Sequence, residues 1–400
     1  MKELKVGIIG LGGRGRHMAF MTARVEGVKI TAVCDLFENR MEHFCNKIEE
    51  RHGYRPGFMT TDAMELINCD DVDIVAIYAA WEVHIPYSIA AMKKGKPVAV
   101  EVAGAYSVDQ CWELVKTYEE TKTPIMMLEN CCYAREEMMV MNMLKQGLFG
   151  EISYVTGGYC HDLRREIMIG GVSKGSHYRF RNYKNRCCDN YPTHQLGPIA
   201  QMLNINHGNK FDSLVSVASK AAGMHEFITE NFSHDEKLMN TKFNQGDAVT
   251  TIIKCANGET IRLTLDTTLP RFYSREFSIH GTKGMYDANT KSIFVESEHG
   301  TLHGQGIYSH VDNAKEYAKK YDHPVWIQYE KDGIQQGHGG MDWLVVNAFF
   351  DALKENKPMP IDVYDMASWM AVTALTEQSI KLGVPVQFPD FTNGKWVLED

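Results

Sequence analysis

The chain has 400 residues, of which 44% are apolar, 10% aromatic and 23% charged; this is a soluble globular composition with length for two or three domains and a sizeable core. With 51 acidic against 42 basic residues the net charge is −9, which excludes the broad basic surface of a dedicated nucleic-acid binder. No stretch of about 18 apolar residues occurs and MKELKVGIIG opens directly into strand-like sequence, so no membrane span and no export signal are expected, and the location expected is cytoplasmic.

KVGIIG (5–10), VKITAVCD (28–35), VDIVAIY (72–78), KPVAVE (96–101) and TPIMMLE (123–129) are short apolar runs bounded by turn or charged residues. They predict strands buried on both faces. Segments 14–25, 38–51, 84–94 and 107–121 between them have helical spacing, and Ser107 with Gln110 makes a capping box. Strands alternating with helices imply an α/β fold, a doubly wound parallel sheet. Residues 131–149 predict one linking helix ending at Gly147 or Gly150.

Beyond it the pattern changes to period-2 runs at 151–160, 213–221, 248–255, 259–268 and 275–287, with Ala256-Asn257-Gly258 as a hairpin turn. This half predicts an α+β domain on an open, mostly antiparallel sheet. Asp162 to Asn190 and about Glu296 to Gly340 read as long loops, and 341–356 and 363–383 as helices. The expected division is a Rossmann domain over 1–130 and a substrate domain over 131–400, with the helices of 341–383 packing back on the first. Ten cysteines with no C-x-x-C spacing read as reduced thiols.

Gly10-Leu11-Gly12-Gly13-Arg14-Gly15 fits G-x-G-x-x-G between the first strand and the first helix, and Asp35 follows at the end of the second strand. Gly10 permits the tight turn, Gly12 lets the backbone approach a pyrophosphate, and Gly15 allows close helix packing. Asp35 would accept from both ribose hydroxyls and repel a 2′-phosphate. The cofactor expected is NAD.

A Rossmann domain followed by an open sheet resembles the oxidoreductase superfamily of glucose–fructose oxidoreductase and inositol dehydrogenase. Its fifth strand commonly ends in Glu-Lys-Pro, whose lysine assists hydride transfer at a sugar hydroxyl. Here the stretch is Glu101-Val102-Ala103, and valine cannot move a proton. The superfamily's Asp-x-x-x-His is altered too, because Asn190 stands four places before His194.

Those departures accompany Trp81-Glu82-Val83-His84, Leu128-Glu129-Asn130, the run from Gly157 to Arg164, and Tyr191-Pro192-Thr193-His194-Gln195-Leu196-Gly197-Pro198. Together they resemble glycoside hydrolase family 109, whose best-known activity is α-N-acetylgalactosaminidase. The resemblance continues through Gln245-Gly246-Asp247, Cys255 to Thr260, Gly337-His338-Gly339-Gly340-Met341-Asp342 and Pro389 to Gly394.

Position by position, the resemblance implies NAD contacts from Gly13, Arg14, Asp35, Trp81, Glu82, Val83, His84, Glu101, Val102 and Asn130. It implies sugar contacts from Tyr159, Arg179, Tyr191, Pro192, Thr193, His194 and Tyr273. The passage from Ile167 to His177 departs from the family, which opens the loop beside the sugar to other substrates.

The implied mechanism oxidises the sugar transiently at C3, which acidifies the C2 proton; a base removes it, the aglycone leaves C1 by elimination, water adds, and C3 is reduced again. No carboxylate pair is required. His194 is the expected acceptor of the C3 hydroxyl proton. Tyr159 is expected to work at C2 and C1, which needs a lowered pKa, and Tyr191 to orient or share that task.

Plainer readings stand beside these. The Tyr191 to His194 run could be only a turn into a helix starting at Gln195 with Thr193 as cap. His84, His161 and His338 could be core or surface histidines, Glu129 could tie down the linking helix, and Arg164, Arg165, Lys184 and Arg186 read as solvated loop charges. No metal is expected, since Cys160, His161 and Asp162 lack ligand spacing. An NAD-dependent sugar or amino-sugar dehydrogenase and a non-catalytic NAD-bound sugar sensor are the rival functions. The sugar is expected between the two domains, with no nucleic-acid or membrane partner, and a homo-oligomer is expected by resemblance alone.

Overall fold

A computed structural model describes residues 3–168, 177–300, 310–335 and 337–397. The chain divides into two compact units, Met1–Asn130 with Ile334–Ala367, and Cys131–Gly333 with Ser368–Asp400. Ile334–Ala367 thus clusters with the first unit, although it lies far along the chain.

In the first unit, β1 (Leu4–Ile9), α1 (Gly13–Thr22), β2 (Val28–Cys34), α2 (Glu38–His52), β3 (Phe58–Thr60), α3 (Ala63–Asn68) and β4 (Ile74–Ile77) follow in order. They continue into α4 (Trp81–Lys93), β5 (Val98–Val100), α5 (Val108–Thr121) and β6 (Ile125–Met127). The sheet order is β3-β2-β1-β4-β5-β6, and all pairings are parallel. This is the doubly wound arrangement, with its switch point between β1 and β4. Helices cover both faces, so the central strands carry no polar alternation: β4 is Ile-Val-Ala-Ile and buried throughout. Only β3 and α3 escape the sequence reading, being too short to show a period. Half of the expected capping box forms: Ser107 Oγ accepts from Gln110 N–H at 3.2 Å, while Gln110 Oε1 accepts from Tyr106 N–H at 3.0 Å.

The second unit begins with a 3₁₀ turn from Asn130 through Tyr133, then α6 (Arg135–Lys145), so the expected linking helix is two pieces. Next come β7 (Ile152–Cys160), α7 (Arg164–Ile167), α8 (Tyr178–Asn185), α9 (Thr193–Met202), β8 (Phe211–Ala218), α10 (Gly223–Asn231) and α11 (Glu236–Met239). The strands β9 (Ala248–Cys255), β10 (Thr260–Asp266), β11 (Ser278–Gly281), β12 (Gly284–Asp287) and β13 (Ser292–Val295) complete most of the sheet. After them lie α12 (Glu296–His299), α13 (Ala314–Tyr321), α14 (Pro324–Asp332), the first-unit helix α15 (Met341–Lys354), α16 (Val363–Leu382) and the edge strand β14 (Val386–Gln387). The order is β13-β12-β11-β7-β10-β9-β8-β14. Its pairings are antiparallel apart from β7 with β10, which is parallel over Thr260–Asp266, so the open sheet is mixed at its centre.

Both expected long loops are largely helical where described. In α13 the buried Ala314, Tyr317 and Tyr321 keep helical spacing among lysines. In α14 Pro324 occupies the first turn and His323 caps it, accepting from Val325 N–H. Aromatic and charged residues concealed these periods. Most of the Ile167 to His177 passage, 169–176, lies outside the described residues.

Candidate active site

Within the first unit the glycine-rich turn has the close contacts its sequence foretells. Gly10 has φ +95° and a Cβ there would lie 2.7 Å from Ala79 N, in the turn after β4; on Gly15 a Cβ would lie 2.1 Å from Gly10 O. At Gly12 and Gly13 nothing stands within 4 Å, so open space faces the backbone at the start of α1, where a pyrophosphate fits. Asp35 bridges the ends of β1 and β2: Oδ2 accepts from Leu11 N–H at 2.7 Å and Oδ1 from Phe37 N–H at 2.9 Å. Arg40 lies 3.5 Å from the same carboxylate.

Trp81 to His84 form the first turn of α4. His84 is buried with Nε2 2.9 Å from Ala79 O, and burial pushes its imidazole below the usual value, so the ring is neutral. Glu101 directly follows β5; Oε1 accepts from Val102 N–H at 3.1 Å and Oε2 from Arg14 Nε at 2.7 Å. The Val102 side chain is buried.

A residue given no role in the sequence reading joins these groups. Asp342, at the start of α15, is wholly buried. Oδ1 accepts from Asn130 Nδ2 at 2.7 Å; Oδ2 accepts from Arg14 Nη1 at 2.7 Å and faces His17 Nε2 at 3.0 Å and His338 Nδ1 at 2.7 Å. Burial would raise this carboxyl, yet hydrogen bonds from His17, His338 and Arg14 hold it far below the usual carboxylate range. The signal was the glycine-rich run 337–342, in which Gly337, His338, Gly339 and Gly340 all have positive φ.

Within the second unit, β7 and α9 bring the expected sugar residues together. Tyr159 stands near the end of β7, where a Cβ on Gly157 would lie 2.4 Å from Gln195 Cγ, so the glycine lets α9 approach the strand. The rings of Tyr159 and Tyr191 are 4.5 Å apart, His194 lies 5.4 Å from Tyr159 and 4.7 Å from Tyr191, and Tyr273 lies 6.4 Å from Tyr159. His161 joins the group, 5.9 Å from Tyr159 and 5.3 Å from Tyr273. Arg179, buried on α8, holds its guanidinium 4.8 Å from the Tyr191 ring, a cation–π contact, and its Nε lies 3.3 Å from Glu166. The lowered pKa expected of Tyr159 is overturned: burial pushes its hydroxyl well above the usual phenol value, and Arg179 offsets only part of that.

Pro192 and Thr193 open α9, with Pro192 at the cap position and Thr193 already helical, so the plainer alternative of a Thr193 cap and a Gln195 start does not hold. Asn190, in the superfamily's acidic place, is buried and donates from Nδ2 to Gln245 Oε1 at 3.2 Å. Asp189 is buried as well; its N–H donates to Thr376 Oγ1, its carbonyl accepts from Thr373 Oγ1, and burial pushes its carboxyl up to about 7. Arg186 is no solvated loop charge, being buried and paired with Glu377. Arg165 and Lys184 are exposed, and Glu129 is fully buried.

Known proteins agree with this layout. Residues 4–128 match the family described as "Oxidoreductase family, NAD-binding Rossmann fold" and residues 133–398 the one described as "Glycosyl hydrolase 109, C-terminal domain". The chain is 38% identical over 415 residues to an alpha-N-acetylgalactosaminidase of Tannerella forsythia, covering 98% of this chain and 87% of that protein. It is likewise 38% identical over 401 residues to an alpha-N-acetylgalactosaminidase of Shewanella oneidensis, covering 99% and 86%. Among solved structures, a levoglucosan dehydrogenase in complex with NADH and levoglucosan superposes with a TM-score of 0.69 at 18% identity, over 96% of this chain and 99% of that one. Myo-inositol 2-dehydrogenase from Lactobacillus plantarum gives 0.66 at 15% identity, over 97% and 100%.

Proposed function

The chain belongs to glycosyl hydrolase family 109, and from that premise we propose that it releases terminal α-linked N-acetylgalactosamine from glycans, using NAD that each turnover restores. The observation that carries this reading is the Tyr159, Tyr191 and His194 cluster of the second unit, in a chain whose first unit has an NAD-binding fold with Val102 in place of the proton-carrying lysine. NAD, when bound, supplies the transient two-electron oxidation at C3 of the sugar.

The rest of the chemistry falls to this chain's own side chains. His194 accepts the C3 hydroxyl proton, as the one imidazole among the described residues in contact with both tyrosine rings. Tyr159 remains protonated and serves as a neutral hydrogen-bond donor to an oxygen that gathers charge, not as a base. Tyr191, braced by Arg179, orients the sugar beside His194 and takes the C2 proton, which the protonated Tyr159 cannot accept. Backbone N–H groups at the start of α1 receive the cofactor's pyrophosphate, and Asp35 selects the ribose diol over a 2′-phosphate.

We place the enzyme in the cytoplasm, a reading supported by ten free thiols; no described helix is long and apolar enough to cross a membrane. We also propose a homo-oligomer joined on the outer face of the eight-stranded sheet. There Val215 and Ile252 lie opposite one another in register and are exposed, as is Val217. Sedimentation velocity at micromolar concentration tests this.

The reaction is tested by cleaving a nitrophenyl α-N-acetylgalactosaminide in heavy water. Deuterium at C2 of the released sugar is expected, because the C2 proton is removed and replaced from solvent. Cleavage with no deuterium at C2 would count against elimination, and steady NADH accumulation from free sugar would identify a dehydrogenase instead.

A further inference from the structure

We infer that Asp342 is the positioning residue of the NAD site: a buried carboxylate from the far end of the chain that fixes Arg14 and Asn130 where the cofactor binds. The inference rests on NAD binding alone; a chain that bound NAD yet cleaved no glycoside would leave it standing.

The chemistry of the donor set allows no neutral substitute. Asn130 donates to Oδ1, while Arg14 donates to Oδ2 and the two histidine nitrogens face that same oxygen. Asn130 Nδ2 and Arg14 Nη1 can only donate, one to each oxygen, so the side chain here must accept on both, as an ionised carboxylate does. An amide here would turn one acceptor into a donor and oppose either Asn130 or the Arg14 group. A charge this deeply buried is held in place by those partners.

Arg14 shows what the arrangement achieves. With Nε on Glu101 and Nη1 on Asp342, its guanidinium is occupied by carboxylates of the protein. It therefore braces the glycine turn, while the backbone at the start of α1 has open space for the anion. The same carboxylate ties that brace to Asn130, which follows the edge strand β6. Four consecutive residues with positive φ, Gly337 to Gly340, lead the chain to this position at the start of α15. Such a backbone is costly for His338 and is retained where the surrounding structure fixes it.

The test compares Asp342→Asn and His338→Gln with the wild type in NAD content after gel filtration, in Kd by NADH fluorescence titration, and in far-UV circular dichroism and thermal melting. Asp342→Asn is expected to keep a native circular dichroism spectrum while its Kd rises about tenfold or more, the scale of a lost charged hydrogen bond. His338→Gln changes an exposed side chain, so folding is retained, and Kd should rise about threefold as one partner of Oδ2 is replaced. Asp342→Asn decides the matter where it folds, and His338→Gln where it does not. A Kd within about twofold of wild type in the deciding variant overturns the assignment, including when melting is lowered, since a purely structural carboxylate gives that result.

Discussion

Asp189 Oδ1 accepts the backbone N–H of Tyr191 at 3.3 Å, so a buried carboxyl with no cation among its interactions with the described residues holds the start of the turn that carries His194. Its folded-state pKa of about 7 lies above the unfolded value of about 3.9. The stabilising contribution is therefore fully present below about pH 4 and is lost as pH rises through about 7. Asp189→Asn should stabilise the second unit by on the order of 2–4 kcal/mol at pH 8, with the advantage growing between pH 4 and 7 and level above. Melting curves across that range check it; an advantage independent of pH would contradict it.

His194→Ala should lower kcat by about 100-fold or more, the usual size of a lost general base. Tyr159→Phe should cost about tenfold, because a neutral donor is lost and not a base. Since burial keeps the Tyr159 hydroxyl protonated, its removal should leave the pH profile between 6 and 9 unchanged in shape. Turnover within a few-fold of wild type in both variants would show that the cluster does not carry the chemistry.

Replacing Asp35 with Ser removes the acceptor that spans Leu11 and Phe37 and leaves Arg40 nearby. The preference for NAD over NADP, read as a ratio of dissociation constants, should fall about tenfold or more. An unchanged ratio would mean that selectivity lies elsewhere.

Gly158→Ala puts a Cβ 2.3 Å from Thr264 O in the parallel β7–β10 pair, a clash with backbone that no rotamer relieves. Loss of about 1–3 kcal/mol of second-unit stability is expected, together with reduced activity through the neighbouring Tyr159. Native melting and kinetics would contradict the packing argument.

The cofactor half was legible because its residues lie close in sequence: Gly10, Gly12 and Gly15 within one turn, and Asp35 one strand later. Asp342 was not, since its partners Asn130 and Arg14 lie 212 and 328 positions away and no local pattern links them. Strand spacing revealed β7 and β10 but not their parallel direction, because a period of two is the same either way. The residue types of the Tyr191 to His194 turn were readable from resemblance, whereas the protonated state of Tyr159 follows from burial that only packing creates.

The central claim is tested most directly by removing NAD from the purified enzyme and assaying a nitrophenyl α-N-acetylgalactosaminide before and after adding it back. Cleavage should vanish in the stripped, folded protein and return with NAD at one equivalent per chain, with no net NADH formed over many turnovers. Undiminished cleavage by the stripped protein would contradict it.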